Sequence, residues 1–201
     1  MPRKIHISFT PLIKIWEELK MRWQIAFTDD FDEQQYTLIY NSLSATRKAH
    51  IDRMKCDQDR KNSLLASWLV DKLLNECGIK NATLENDSNG RPFLKENNLF
   101  ISISHSEKAV VCAISETPVG IDIEKQKPVK SSLIDYVCTN EEKAYINEDV
   151  ALLQRRFFEI WTAKEAYFKK NGGGLKNMLS VNILPINRQI YTVEDYIITI
   201  L

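Results

Sequence analysis

Between Asp59 and Cys77 the apolar residues Leu64, Leu65, Trp68, Leu69 and Leu73 recur at spacings of three and four, the repeat that gathers side chains on one face of an α-helix. Gly78 follows directly and supplies a C-terminal stop, so the segment predicts one long amphipathic helix. The pattern then changes. ENDSNGRPFL is turn chemistry, and LFISIS and AVVCAIS predict two strands joined by HSEK, a hairpin. A third strand is predicted in TPVGIDIEKQKP, between Pro118 and Pro128. There Val119, Ile121 and Ile123 alternate with Gly120, Asp122 and Glu124, so one face is apolar and the other carries two carboxylates.

Beyond this strand, Asn140 to Asn147 predicts a short polar helix. A stronger one, from Gln154 to Lys170, carries Phe157, Phe158, Trp161 and Phe168 and stops at Gly172, Gly173 and Gly174. The tail SVNIL, followed by NRQIYTVEDYIITIL, reads as strand, turn and strand. Helix followed by hairpin thus occurs twice. The expected fold is α+β, with two similar halves, residues 1–116 and 117–201, meeting near Thr117, each a helix packed on a small antiparallel sheet.

With 201 residues, 44% of them hydrophobic, the chain can bury one substantial core or two small ones. Lysine and arginine number 27, as do aspartate and glutamate. The net charge of zero excludes a blanket electrostatic footprint for nucleic acid or an anionic membrane, and neither is an expected partner. Six glycines and six prolines exclude collagen-like and low-complexity chains. Cys56, Cys77, Cys112 and Cys138 form no C-x-x-C pattern and are expected as free thiols. The opening MPRKIHISFTPLIKIWEELK interleaves charges with apolar residues, and no stretch approaches the roughly 18 apolar residues of a membrane span. The expected location is cytoplasmic.

Asp122 and Glu124 lie two apart on a strand, so their side chains leave the same face about 6.5 to 7 Å apart along it and can share a cation. With no histidine or cysteine ligand nearby, the donors are all oxygen, which suits Mg²⁺ or Mn²⁺. A bare D-x-E is more often the polar face of a half-buried strand. On the later helix Trp161, Glu165, Phe168 and Lys169 share one stripe. Such a Glu–Lys pair is usually a surface contact worth a few tenths of a kcal/mol. The aromatic neighbours instead turn this stripe toward a core or cleft, where Glu165 would add a third carboxylate. Ser104 and His105 end a strand at a turn, where an imidazole can donate to phosphate, or simply stand exposed. In Asn89-Gly90-Arg91-Pro92 the glycine admits close backbone approach and Arg91 adds a planar cation suited to phosphate, although such a run is ordinarily only a loop. The glycine run after the helix sits at the negative end of the helix dipole and reads as a cap and loop. His6 and His50 have no partner pattern.

Taken in chain order, GRPFL, ISISHS, PVGIDIEKQKP and FFEIWTAKEAYFKKNGGGL resemble the Sfp-type 4'-phosphopantetheinyl transferases. The resemblance is strong from Gly90 to Leu175, looser over DRKNSLLASWLVDKLL and the basic segment before it, and limited to hydrophobic pattern in roughly the last 25 residues. It implies a pseudo-twofold pair of α+β halves within a monomer, the site in the cleft between them. The implied reaction moves the phosphopantetheine arm of coenzyme A, the co-substrate, to a serine of an acyl or peptidyl carrier protein and releases 3',5'-ADP. It also implies that Asp122, Glu124 and Glu165 bind Mg²⁺, that Glu165 deprotonates the attacking serine, and that Lys169 assists the leaving pyrophosphate. Ser104 and His105 would lie at the 3'-phosphate. Arg91 stands where the family usually has lysine, and Lys164 precedes the catalytic glutamate as in the family and joins the coenzyme A contacts. Asn62 falls where an arginine is usual before Ser63-Leu64-Leu65, so Arg47, Arg53 or Arg60 would serve, with Arg47 and Ser63 the expected nucleotide anchors. Two other readings use the same residues: a magnesium-dependent phosphohydrolase of coenzyme A-like substrates, and a non-catalytic carrier-protein-binding relative.

Overall fold

The computed structural model of the chain describes residues 21–80, 82–87, 91–95, 97–172 and 175–201. The readings made for residues 1–20, for Asn89 and Gly90, and for Gly173 and Gly174 lie outside the described residues. Up to Thr117 the elements are β1 (Arg22–Phe27), α1 (Glu33–Ser42), α2 (Ala45–Asp52), α3 (Asp57–Glu76), β2 (Thr83–Asn86), β3 (Pro92–Lys95), β4 (Phe100–Ser106) and β5 (Ala109–Ser115). After it come β6 (Ile121–Lys125), α4 (Ser131–Val137), α5 (Asn140–Asn147), α6 (Leu153–Asn171), α7 (Leu175–Ser180), β7 (Gln189–Val193) and β8 (Tyr196–Ile200). The architecture is α+β.

Two three-stranded antiparallel sheets form, in the orders β1-β5-β4 and β6-β8-β7, beside a small β2–β3 ladder. Each larger sheet is built by a strand, then helices, then a hairpin whose last strand pairs with the first. Alternation along the strands sets the layers. In β5, Val110, Cys112 and Ile114 pack against Leu65, Leu69 and Leu73 of α3, whereas Val111 and Ala113 face Ile121 and Ile123 of β6 and Ile198 of β8. Ile197, the other face of β8, meets Phe157, Ile160 and Ala163 of α6. The order is therefore helix, sheet, sheet, helix. Every residue of β5 and of β8 is buried, which is why AVVCAIS and YIITI read as continuous rather than alternating apolar runs. Among the described residues no helix is long and apolar enough to cross a membrane.

Three differences from the sequence reading matter for the site. The hairpin strand predicted in SVNIL is absent: Ser180 ends α7, and both strands of the last hairpin lie within Gln189–Ile200. The backbone there is satisfied by side chains instead. Glu142 accepts from the Ile183 amide at 2.8 Å, and Lys164 donates to the carbonyls of Leu179 and Val181 at 3.0 and 2.8 Å. The flanks of ENDSNGRPFL, read only as turn, form the β2–β3 ladder, Asn86 opposite Pro92. Finally, β4 extends through Ser106, so Ser104 and His105 are strand residues.

Gly120 fixes how closely α6 approaches β6. A Cβ there would lie 1.8 Å from the Ala166 carbonyl oxygen and 3.0 Å from the Lys170 amide nitrogen, both helix backbone that cannot turn aside. Gly120→Ala is therefore expected to cost about 3 kcal/mol or more of folding free energy, read as a lower midpoint in thermal or urea unfolding. An unchanged midpoint would contradict this packing.

Candidate active site

β4 and β6 are edge strands of different sheets that run side by side. Three serines at alternate positions of β4 face β6. Ser102 Oγ accepts from the Ile121 amide at 3.0 Å, and Ser106 Oγ accepts from the Lys125 amide at 3.2 Å. The other bonds reach the carboxylates: Ser104 Oγ donates to Asp122 Oδ1 at 2.7 Å, and Ser106 Oγ donates to Glu124 Oε2 at 2.8 Å.

From the other side α6 supplies the stripe expected of it. Trp161 Nε1 donates to Glu124 Oε1 at 3.3 Å, and Lys169 Nζ donates to Asp122 Oδ1 at 2.6 Å and to the Ile121 carbonyl at 3.2 Å. Glu165 stands half-buried one turn from each. Asp122 is only 4% exposed, and its Oδ2 has no hydrogen-bond partner among the described residues. A buried carboxylate oxygen left open in this way is a place for a cation or a donor. Burial, then the charges of Asp122 and Glu124, push the Glu165 carboxyl above the usual carboxylate range against the opposing pull of Lys169. Glu124 is likewise raised by burial, with the Ser106 and Trp161 hydrogen bonds opposing. Among the described residues no three carboxylate, thiol or imidazole groups stand close enough together to hold a metal ion.

His105 lies on the opposite face of β4 from Ser104, toward α3. There Arg47, His50, Asn62, Ser63, Ile103 and His105 line part of an open cleft of about 440 Å³. Arg47 is buried: its Nε donates to Ser67 Oγ at 3.0 Å, Nη1 to Asn86 Oδ1 at 2.8 Å and Nη2 to Ser63 Oγ at 2.9 Å. Among the described residues it has no carboxylate partner within 4 Å, and burial lowers its pKa. Burial, then Lys169, lowers that of His105, with Asp59 and Asp122 opposing. The buried Arg47 guanidinium, without a carboxylate beside it among the described residues, is the feature that favours an anion at this end. Asn62 donates to the Glu107 carbonyl at 3.0 Å and lies 3.5 Å from His105 Nδ1, so it ties the β4–β5 turn to α3.

The structure thus gathers Asp122, Glu124, Glu165, Lys169 and Ser104 at one end, and Arg47, Ser63 and His105 at the other. Ser63 reaches the cleft partly through Arg47. Arg53 and Arg60 direct their Nε–H groups to the carbonyls of Ala49 and Met54. The Arg91 guanidinium comes from the first series of elements to the end of α6, where a Cβ on Gly172 would lie 3.4 Å from Nη1. Lys164 is placed elsewhere: fully buried, it pairs with Glu142 at 2.9 Å on the far side of α6, so a coenzyme A contact from it finds no support here. Ser102, Ser106 and Trp161 were not singled out as site residues, although serines at 102, 104 and 106 display the period of a strand face.

Comparison with known proteins identifies the arrangement. A family model for the 4'-phosphopantetheinyl transferase superfamily matches residues 118–199, and one for the N-terminal region of 4'-phosphopantetheinyl transferases matches residues 30–117. The chain belongs to the Sfp-type 4'-phosphopantetheinyl transferase family. It is 30% identical over 151 residues to the 4'-phosphopantetheinyl transferase gsp of Aneurinibacillus migulanus, covering 73% of this chain and 63% of that protein. It is 28% identical over 141 residues to Sfp of Bacillus subtilis, covering 66% and 62%, and 26% identical over 172 residues to HetI of a Nostoc species, covering 80% and 72%. The chain therefore spans about three fifths of the length of the first two of these transferases.

The raised Glu165 carboxyl has a measurable consequence. Its folded-state pKa lies above the unfolded value, so the folded state loses stability as pH rises from the ordinary carboxylate range through that higher value. Glu165→Gln, which mimics the protonated form, should raise the melting temperature of the metal-free protein at pH 7 and should not raise it below about pH 4. A lower melting temperature for the variant at pH 7 would mean that the charge is compensated in the fold.

Proposed function

We propose that this protein transfers the 4'-phosphopantetheine arm of coenzyme A to a serine of an acyl or peptidyl carrier protein, releasing 3',5'-ADP. The observation that carries the reading is Asp122, buried between Ser104 and Lys169 with Oδ2 open, beside Glu124 and within the field of Glu165. The names of the relatives are in accord with it. In the reaction the carrier serine Oγ forms a bond to the phosphorus bearing the pantetheine arm, while the bond from that phosphorus to the bridging oxygen breaks. Glu165 takes the serine proton, and a pKa raised by burial makes it a stronger base for that step than an exposed carboxylate. Lys169 meets the charge that grows on the departing 3',5'-ADP. Arg47, with Ser63 and His105, holds phosphate charge at the nucleotide end, and Arg91 offers a further cation from beside the end of α6.

The all-oxygen donors and the open Oδ2 of Asp122 suit a magnesium or manganese ion in chemistry, although the three carboxylates stand too far apart here to enclose one; Asp122, Glu124 and Glu165 would hold it by drawing together around its charge. When bound it would neutralise the pyrophosphate. The two series of elements share one topology and the family models divide at residues 117 and 118, which supports pseudo-twofold halves, 1–116 and 117–201, with the site in the cleft between them. We take the protein to act as a monomer in the cytoplasm, where its four unpaired cysteines are at home.

Mass spectrometry of apo carrier proteins incubated with the protein, coenzyme A and Mg²⁺ tests the reading. Each modified carrier should gain one phosphopantetheine, and chelator should abolish the gain. Release of free phosphopantetheine without modified carrier would instead indicate a hydrolase. Asp122→Asn, which keeps shape but removes charge, is expected to lower kcat by about 100-fold or more, and wild-type turnover in that variant would place the site elsewhere.

A further inference from the structure

The far side of α6 holds two buried charges that the proposed reaction does not use. Lys164 and Glu142 are both 0% exposed and pair at 2.9 Å. Glu142 caps the start of α5, its Oε2 accepting from the Thr139 amide at 2.8 Å, while its Oε1 accepts from the Ile183 amide at 2.8 Å. Lys164 also donates to the carbonyls of Leu179 and Val181. One ammonium therefore joins α6, the first turn of α5, the end of α7 and the segment that follows. Burying such a pair costs desolvation that its attraction barely offsets, so stability alone is a poor reason for it. What it fixes is geometry.

Glu165 is the next residue of α6, one step of about 100° around the helix. On its sheet side α6 is located by Gly120 under the Ala166 carbonyl and by the Thr162 hydroxyl 2.7 Å from that of Thr199. These contacts set its distance from the sheet. Lys164, the long lever on the other side, sets its roll.

We infer that Lys164 is a positioning residue for Glu165, holding α6 through Glu142 and the 179–183 backbone at the rotation that presents Glu165, Trp161 and Lys169 to β6. The inference rests on the transferase reading for its kinetic consequence but not for its structural one.

The test uses the full chain carrying Lys164→Met with Glu142→Gln, which removes both charges together and leaves neither buried alone. Glu142→Leu with Lys164→Leu serves as a second pair if the first does not fold. Two quantities are read. The first is kcat and the KM for coenzyme A, with an apo carrier as acceptor. The second is the indole ¹H–¹⁵N resonance of Trp161, assigned through Trp161→Phe and recorded without substrate, which reports the bond from Trp161 to Glu124. A folded double variant should show kcat lower by about 100-fold, a KM for coenzyme A within about twofold of wild type, and a displaced Trp161 resonance. Wild-type kcat with an unmoved resonance would overturn the inference, as would a KM for coenzyme A that rises while kcat holds, since Lys164 would then act on the ligand. If the unaltered protein transfers nothing, the proposed function fails by itself. The resonance then decides alone: displacement supports the positioning role, and an unmoved signal refutes it.

Discussion

The serines of β4 clasp the edge of β6, and the site depends on that contact. An edge strand presents amides that must find partners, and a neighbouring strand would ordinarily supply them. Here the Ile121 and Lys125 amides are met by serine hydroxyls, so the two sheets lie against one another at this margin without merging into one. A hydroxyl both accepts and donates, and Ser106 accepts from the Lys125 amide of β6 while it donates to the carboxylate of the preceding residue, Glu124. The same contact therefore joins the sheets and holds the acidic groups at the joint. Partial burial there is what raises Glu124 and Glu165, so their perturbed acidity follows from the packing of the sheets.

A neutral net charge conceals a divided field. Carboxylates from β6 and α6 crowd one end of the site, while Arg47 and His50, without a carboxylate partner for Arg47 among the described residues, line the cleft beyond β4. His105 lies on the cleft side yet within reach of the acidic end: burial lowers its pKa and Asp59 raises it, and the Lys169–Asp122 pair adds smaller opposing pulls. Acidic groups and a buried guanidinium are thus held apart on either side of β4 despite the balanced total.

Much of this was legible in the chain because the long elements are periodic and carry their own stops. Asp57–Glu76 and Leu153–Asn171 fall within two residues of the helices predicted from spacing, and the strand carrying Asp122 and Glu124 lies where alternation put it. Other features were hidden for identifiable reasons. β1 is a short run, RWQIAF, that becomes a strand by pairing with β5 more than eighty residues away, and no local signal announces such a partner. The segment 180–184 has the composition of a strand, yet its backbone is claimed by Glu142 and Lys164. Ser104 and His105 were grouped because they are adjacent, but adjacency in a strand puts them on opposite faces. Lys164 shows the same limit on a helix: one position from Glu165, it faces the core.

The repeated topology shows why backbone alone does not locate the site. By connectivity β6 corresponds to β1, and β4 to β7; β4 and β6 lie side by side at one margin, and β7 touches β1 at the other. At the first margin serines meet carboxylates. At the second, Tyr191 of β7 lies against Trp23 of β1, ring centroids 4.8 Å apart, an apolar contact that needs no charge and offers none. Equivalent strands thus close one margin by aromatic packing and leave the other polar. Desolvated carboxylates and an ammonium meet at the polar margin, and the difference between the two margins resides in their side chains rather than in the order of the strands.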